Sequence, residues 1–172
     1  MAGRFRPLSR TGTVVMLDAL LATLHPSRGQ AWHGGPTPSG ALRGVTAAQA
    51  RWKPGRGRHS IWELVLHIAY WNYAVRRRLE GAPGGFPRAP ANWPAVPAKA
   101  GPLAWAADRA LLSREHALLV QAVRRFPTTR WSRVPPEGRR WTFGETIVGI
   151  VAHDVYHTGQ IQLLKRLWRA RR

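Results

Sequence analysis

The sequence predicts an all-α protein, a four-helix bundle with long connecting loops. Three observations carry that prediction. Apolar residues recur at helical spacing along four long segments, no stretch alternates with the period of two of a half-buried strand, and Gly/Pro-rich runs separate the helical segments. Four helices that each bury one stripe are satisfied by packing around a common core.

Residues 1–12, with Arg4, Arg6 and Arg10, read as a basic tail without fixed structure, and residues 13–172 as one domain. A first helix over 13–25 places Val14, Leu17, Leu21 and Leu24 on one side. Its apolar run has the look of a signal peptide, but Asp18 interrupts it and no small-residue cleavage site follows. Residues 26–44 are too rich in breakers for a long helix, and Trp32 and His33 lie among them. A short helical piece, TAAQARW, follows a cap at Thr46.

The second long helix opens on Ser60 with Glu63 three residues later, the pattern of a capping box, and Gly81 stops it. Residues 82–102 hold six prolines and read as an extended connection pinned to the bundle by Trp93. A third helix covers about 103–126, with Leu111, Leu118 and Val123 among its apolar positions and Pro127 ending it. A loop with Trp131, Pro135 and Pro136 leads to the fourth. That helix opens on a second capping box, Thr142 with Glu145, and runs to about residue 168 before an Arg-rich tail.

Composition narrows the chemistry. The chain has no cysteine, so disulfides, thiolate nucleophiles and thiolate-held zinc are excluded. Any metal must be held by His, Asp or Glu, and any thiol in the reaction must come from outside. Against 27 basic residues stand 8 acidic ones, a net charge of +19. That balance raises nucleic acid, anionic membranes and acidic small molecules as partners. The basic residues are scattered, however, and all but Lys53, Lys99 and Lys165 are arginine, a bias that a GC-rich genome also produces. No nucleic-acid reader motif accompanies the charge. No apolar run reaches the roughly 20 residues of a membrane span. The expectation is a cytoplasmic protein with no membrane partner and nucleic acid only as a secondary possibility.

The fourth helix carries the feature that points to function. A 3.6-residue period puts Ile150, His153, His157, Ile161 and Leu164 on one face, so two imidazoles interrupt an apolar stripe. Histidines four apart on a helix lie roughly 6 Å from each other at Cβ, close enough to share one ion. At this point two readings stand: two ligands of one metal, or core histidines bonded to nearby carbonyls. A third histidine, His67, sits on the apolar flank of the second long helix beside Leu64, Ile68 and Trp71. Inward positions of those two helices can converge in a bundle. Three neutral imidazoles on one side of an ion would leave positions open for water or substrate.

SIWELVLHIAYW, the later HDVYHTGQI and the spacing between them resemble the DinB-like proteins, also called the YfiT-like metalloprotein superfamily. AWHGG at 31–35 and PGRGRHSIWE at 54–63 extend the resemblance, which covers about residues 16–168. It implies a four-helix bundle holding one divalent ion, zinc or nickel, through His67, His153 and His157. It also implies a thiol-dependent transferase, with a low-molecular-weight thiol and an electrophile as small-molecule partners and a homodimer as the assembly. The family name refers to induction by DNA damage and does not imply DNA binding. A metal-dependent hydrolase with the same ligands and a non-enzymatic basic stress protein associating with nucleic acid are the alternatives. A three-histidine site leaves the ion's charge unneutralised, which favours an anionic ligand and acidifies water or thiol.

Other residues near the pattern have two readings each. Gln160, on the same side as His157, could steady a water or bond to a neighbouring helix. Glu63, one turn before His67, could orient a ligand or act as a base, although the capping box already accounts for it. Tyr156 could donate a proton or pack. Asp154 points about 100° away from His153 around the helix and is expected to pair with an arginine. His33 and His59 could line the pocket mouth, whereas His25 and His116 carry no usable signal. Arg76, Arg77 and Arg78 form a solvated face or attract an anion. The nine tryptophans are spread evenly, as core and loop anchors are.

Overall fold

The computed structural model describes residues 9–26, 30–31, 35–136 and 140–171. Its first helix, α1 (Arg10–Leu24), starts three residues before the periodicity does, because the Ser9 hydroxyl accepts from the Gly12 amide at 3.1 Å and caps it there. Burial on α1 is concentrated in its later turns: Leu24 is buried and Leu17, Leu20 and Leu21 pack beside it, whereas Val14, expected inward, is exposed. The breaker-rich segment contains a two-residue antiparallel pair, β1 (Gln30–Ala31) with β2 (Gly35–Pro36), too short for any alternation to register. Trp32 and His33 lie outside the described residues. Two short helices follow, α2 (Pro38–Ala41) and α3 (Ala47–Arg51), the latter capped by Thr46 as expected.

Both predicted capping boxes form. Ser60 and Glu63 close the start of α4 (Ile61–Glu80), and Gly81, at φ 63°, supplies the left-handed stop. Thr142 and Glu145 do the same for α6 (Phe143–Ala170). Between them lie α5 (Pro102–Arg125) and a 3₁₀ turn over Thr128–Arg130.

The four long helices form a ring. α4 packs on α5 and α6, and α1 packs on the same two, so α1 stands diagonally opposite α4. The all-α four-helix bundle read from the sequence is the observed fold.

The core divides into two apolar clusters along the bundle. One joins the first half of α4, Trp105 to Leu112 of α5, and Ile161 and Leu164 of α6. The other joins Leu24, the second half of α4, Leu119 to Val123 and the first turns of α6. Between them lies a layer of buried polar side chains: Asn72, Glu115, Asp154, His157 and Thr158, with His67 at its edge. Among the described residues no helix is long and apolar enough to cross a membrane.

Candidate metal centre

The capping boxes set where α4 and α6 begin, and the packing of those helices on each other brings His67 against His153 and His157. The ring centroids are 5.0 Å apart for His67 and His153, 4.7 Å for His67 and His157, and 4.4 Å for His153 and His157. One ligand nitrogen from each lies within 4.8 Å of the other two. The Nε2 atoms of His67 and His153 are 3.1 Å apart. Two nitrogens held by one tetrahedral zinc sit roughly 3.3 Å apart, so this pair already has close to the required separation.

Each Nδ1 faces an acceptor. His67 Nδ1 donates to the Asn92 carbonyl at 2.6 Å, and His157 Nδ1 donates to Gln160 Oε1 at 2.6 Å. His153 Nδ1 faces Asp154 Oδ1 at 3.4 Å. With the proton committed to Nδ1, each ring's Nε2 carries its lone pair. The Nε2 atoms of His67 and His153 face each other at 3.1 Å in a largely buried cluster, an arrangement that a shared proton or a shared cation satisfies. The residues present therefore fit a divalent ion.

Electrostatics favour neutral rings at His67 and His157. Burial pushes His67 down from 6.5 to about 4, assisted by the neighbouring imidazoles and opposed by the Asn92 carbonyl. Burial also lowers His157, against the pull of Gln160. For Asp154 burial acts upward, but the nearby His116 and His153 rings and the hydrogen bonds from Asn72 outweigh it and keep the carboxyl below its usual range.

The connection between α4 and α5 forms a strap over the centre. Asn92 takes a left-handed conformation, φ 68°, which asparagine tolerates better than most residues. Its side chain accepts from Trp71 Nε1 at 2.8 Å while its carbonyl holds His67. The Trp93 indole is sandwiched between His67, at 3.8 Å and 13°, and His59, at 3.7 Å and 4°. Trp93 thus anchors the connection as expected, and His59 sits above the strap with that indole between it and His67. The strap is tied down by Arg88, which donates to the buried Asp108 at 2.7 and 3.0 Å.

The remaining expectations divide. Glu63 is occupied at the helix start: it accepts from Lys53 Nζ at 2.7 Å and the Ser60 amide at 2.8 Å. Partial burial acts to raise its pKa, but those bonds hold it below the ordinary value. Gln160 bonds within its own helix, donating to the Tyr156 hydroxyl at 3.1 Å, rather than to a neighbouring one. Tyr156 is 63% exposed, with its ring edge-on to His157 at 4.9 Å.

Among the described residues Asp154 pairs with no arginine. It is buried, and Asn72 Nδ2 donates to both of its oxygens at 2.9 Å. The reason is that α6 is covered on two sides, by α4 and by α1, so a residue turned away from the histidine face still points inward. Sequence reasoning also missed Asn72, Asn92 and His116. A polar Asn72 inside an apolar run, and an asparagine between Pro90 and Pro94 where a turn is forced, were the signals available.

A sequence model of one family, the DinB superfamily, matches residues 39–161. The chain belongs to the DinB superfamily. The match contains His67, His153 and His157 and stops short of α1. No curated protein and no solved structure matches the chain. As a DinB-superfamily member it has a three-histidine cluster that could hold a metal ion.

Proposed function

We propose that this protein is a divalent-metal-dependent transferase in which His67, His153 and His157 hold one zinc or nickel ion and a small external thiol is passed to an electrophile. The observation that carries the reading is the common polarity of the three rings, each with Nδ1 on an acceptor and Nε2 free for the shared point. The ion, when bound, supplies Lewis acidity that acidifies a thiol or water. With no carboxylate among the three ligands its charge stays unneutralised, which favours an anionic partner such as a thiolate.

The chain's own residues have distinct parts in this reading. Asn92 and Trp93 hold His67 and cover one side of the centre. Gln160 orients His157 and, through its amide, the Tyr156 hydroxyl, which keeps its own O–H and is exposed beside the histidines. Tyr156 is therefore the group we assign to pass a proton to a leaving group. The absence of cysteine is consistent with a thiol that arrives as cosubstrate.

The test is elemental analysis of purified protein, followed by a thiol panel on the cobalt-substituted form. One metal per chain is expected, lost in His153→Ala, with thiol addition perturbing the cobalt absorption. Absence of metal in the wild type would sink the reading. Metal without response to any thiol would sink the transferase and leave hydrolysis, with water in the thiol's place.

A further inference from the structure

The buried polar layer contains more groups than three metal ligands need. His116, from the middle of α5, faces acceptors on all sides: Leu24 O lies 2.9 Å from Nε2, and Asn72 Oδ1 and Asp154 Oδ2 lie 3.2 and 3.7 Å from Nδ1. Both ring nitrogens of His116 therefore face oxygen acceptors, Leu24 O at Nε2 and Asn72 Oδ1 at Nδ1. Leu24 O is among the last carbonyls of α1, which lack partners in their own helix. Asn72 completes the chain, accepting from His116 and donating to both Asp154 oxygens at 2.9 Å. Asp154 Oδ1 then faces His153 Nδ1 at 3.4 Å.

The chain of contacts therefore runs from α1 through α5 and α4 to a histidine of α6. Apolar side chains of similar volume would fill this layer at no cost in desolvation, so its polarity calls for a role. The layer is also directional. It ends on the one ring of the three that receives its Nδ1 acceptor from a carboxylate.

We propose that Asn72 and His116 are positioning residues of the metal centre, holding the Asp154 carboxylate so that it fixes the tautomer and orientation of His153. This rests on the metal reading above, but the residues lie outside the ligand set and one end of the chain, at Leu24, lies outside the family match. A carboxylate behind a metal-bound histidine raises its donor strength, and losing such a partner costs about 10- to 100-fold in metal affinity.

The experiment uses the full-length chain with zinc, in competition with a chromophoric chelator, and with cobalt for its absorption spectrum. Asn72→Ala, His116→Gln and Asp154→Asn are compared with wild type and with His153→Ala, with the thermal midpoint of each metal-free protein as a folding control. Asn72→Ala, which leaves the carboxylate in place but unheld, is expected to bind zinc more weakly than wild type, by up to about 10-fold, and to shift the cobalt bands. Asp154→Asn, which keeps the shape and an acceptor oxygen, is expected to weaken binding and guards against a misfolded Asn72→Ala. His116→Gln, which keeps one donor, should fall between it and wild type. A layer that only fills space would lower the thermal midpoints and leave affinity and cobalt bands unchanged, and that result overturns the proposal. If His153→Ala binds zinc as well as wild type, or wild type binds none, the metal reading itself fails and this inference with it.

Discussion

His67 is where burial and chemistry meet most closely. At 6% exposure its ring could not afford a charge, and burial accordingly holds it near 4 instead of 6.5. The sign of the pH effect follows from that lowering. Well above 6.5 the ring is neutral in both folded and unfolded chains and contributes nothing to pH dependence. As the pH falls from 6.5 towards 4 the unfolded chain takes up a proton that the folded ring refuses, so stability is lost across that window. His157, also lowered by burial, acts in the same direction. Denaturant unfolding of the metal-free protein should therefore show a falling midpoint between pH 6.5 and 4, and the fall should be shallower in His67→Phe. An equally steep fall in both proteins would remove His67 from the account.

At the scale of elements, the strap between α4 and α5 shows how a loop without regular structure can place a side chain. Its hydrogen bond with His67 uses the Asn92 backbone carbonyl, and Asn92 presents that carbonyl from a left-handed conformation, φ 68°. Asn92→Gly keeps this conformation available and loses the bond to Trp71, so zinc affinity should stay near wild type. Asn92→Val puts a β-branched residue where it costs of order 1–3 kcal/mol. The strap should then shift, and zinc affinity should drop well below that of Asn92→Gly in the same chelator competition. Equal affinities in the two variants would mean that the carbonyl does not matter.

The same element explains what the sequence could and could not disclose. The helix starts were legible because Ser60 with Glu63 and Thr142 with Glu145 act within one turn. The histidine trio was legible because two members share a helix face and the third interrupts another apolar flank. Asn92 meets His67 across 25 residues, His116 meets Asn72 across 44, and Asn72 meets Asp154 across 82. No local period reports pairings of that kind. Asp154 was misassigned for a related reason: period alone says which way a residue points, not whether a second helix waits there.

Over the whole molecule the charge of +19 sets the background on which the centre works. Three of the acidic side chains, Asp108, Glu115 and Asp154, are buried, and ion pairing inside the molecule leaves the net charge unchanged. Asp108 is committed to Arg88 and Glu115 to Arg76 and Arg114. Such a surface repels itself and also repels an incoming divalent cation. Both effects are long-range, so both should be screened as the Debye length contracts from about 30 Å at about 0.01 M salt to about 10 Å at about 0.1 M. The thermal midpoint of the metal-free protein should rise over that range, and zinc affinity, measured by chelator competition, should rise with it. Short contacts such as Asn72 to Asp154 lie well inside either Debye length and should not contribute to the change. A midpoint that rises while zinc affinity stays flat would mean that the field at the centre is set by its immediate neighbours, with Asp154 offsetting the distant arginines. A fall in both would mean that surface ion pairs such as Lys53 with Glu63 outweigh the net repulsion.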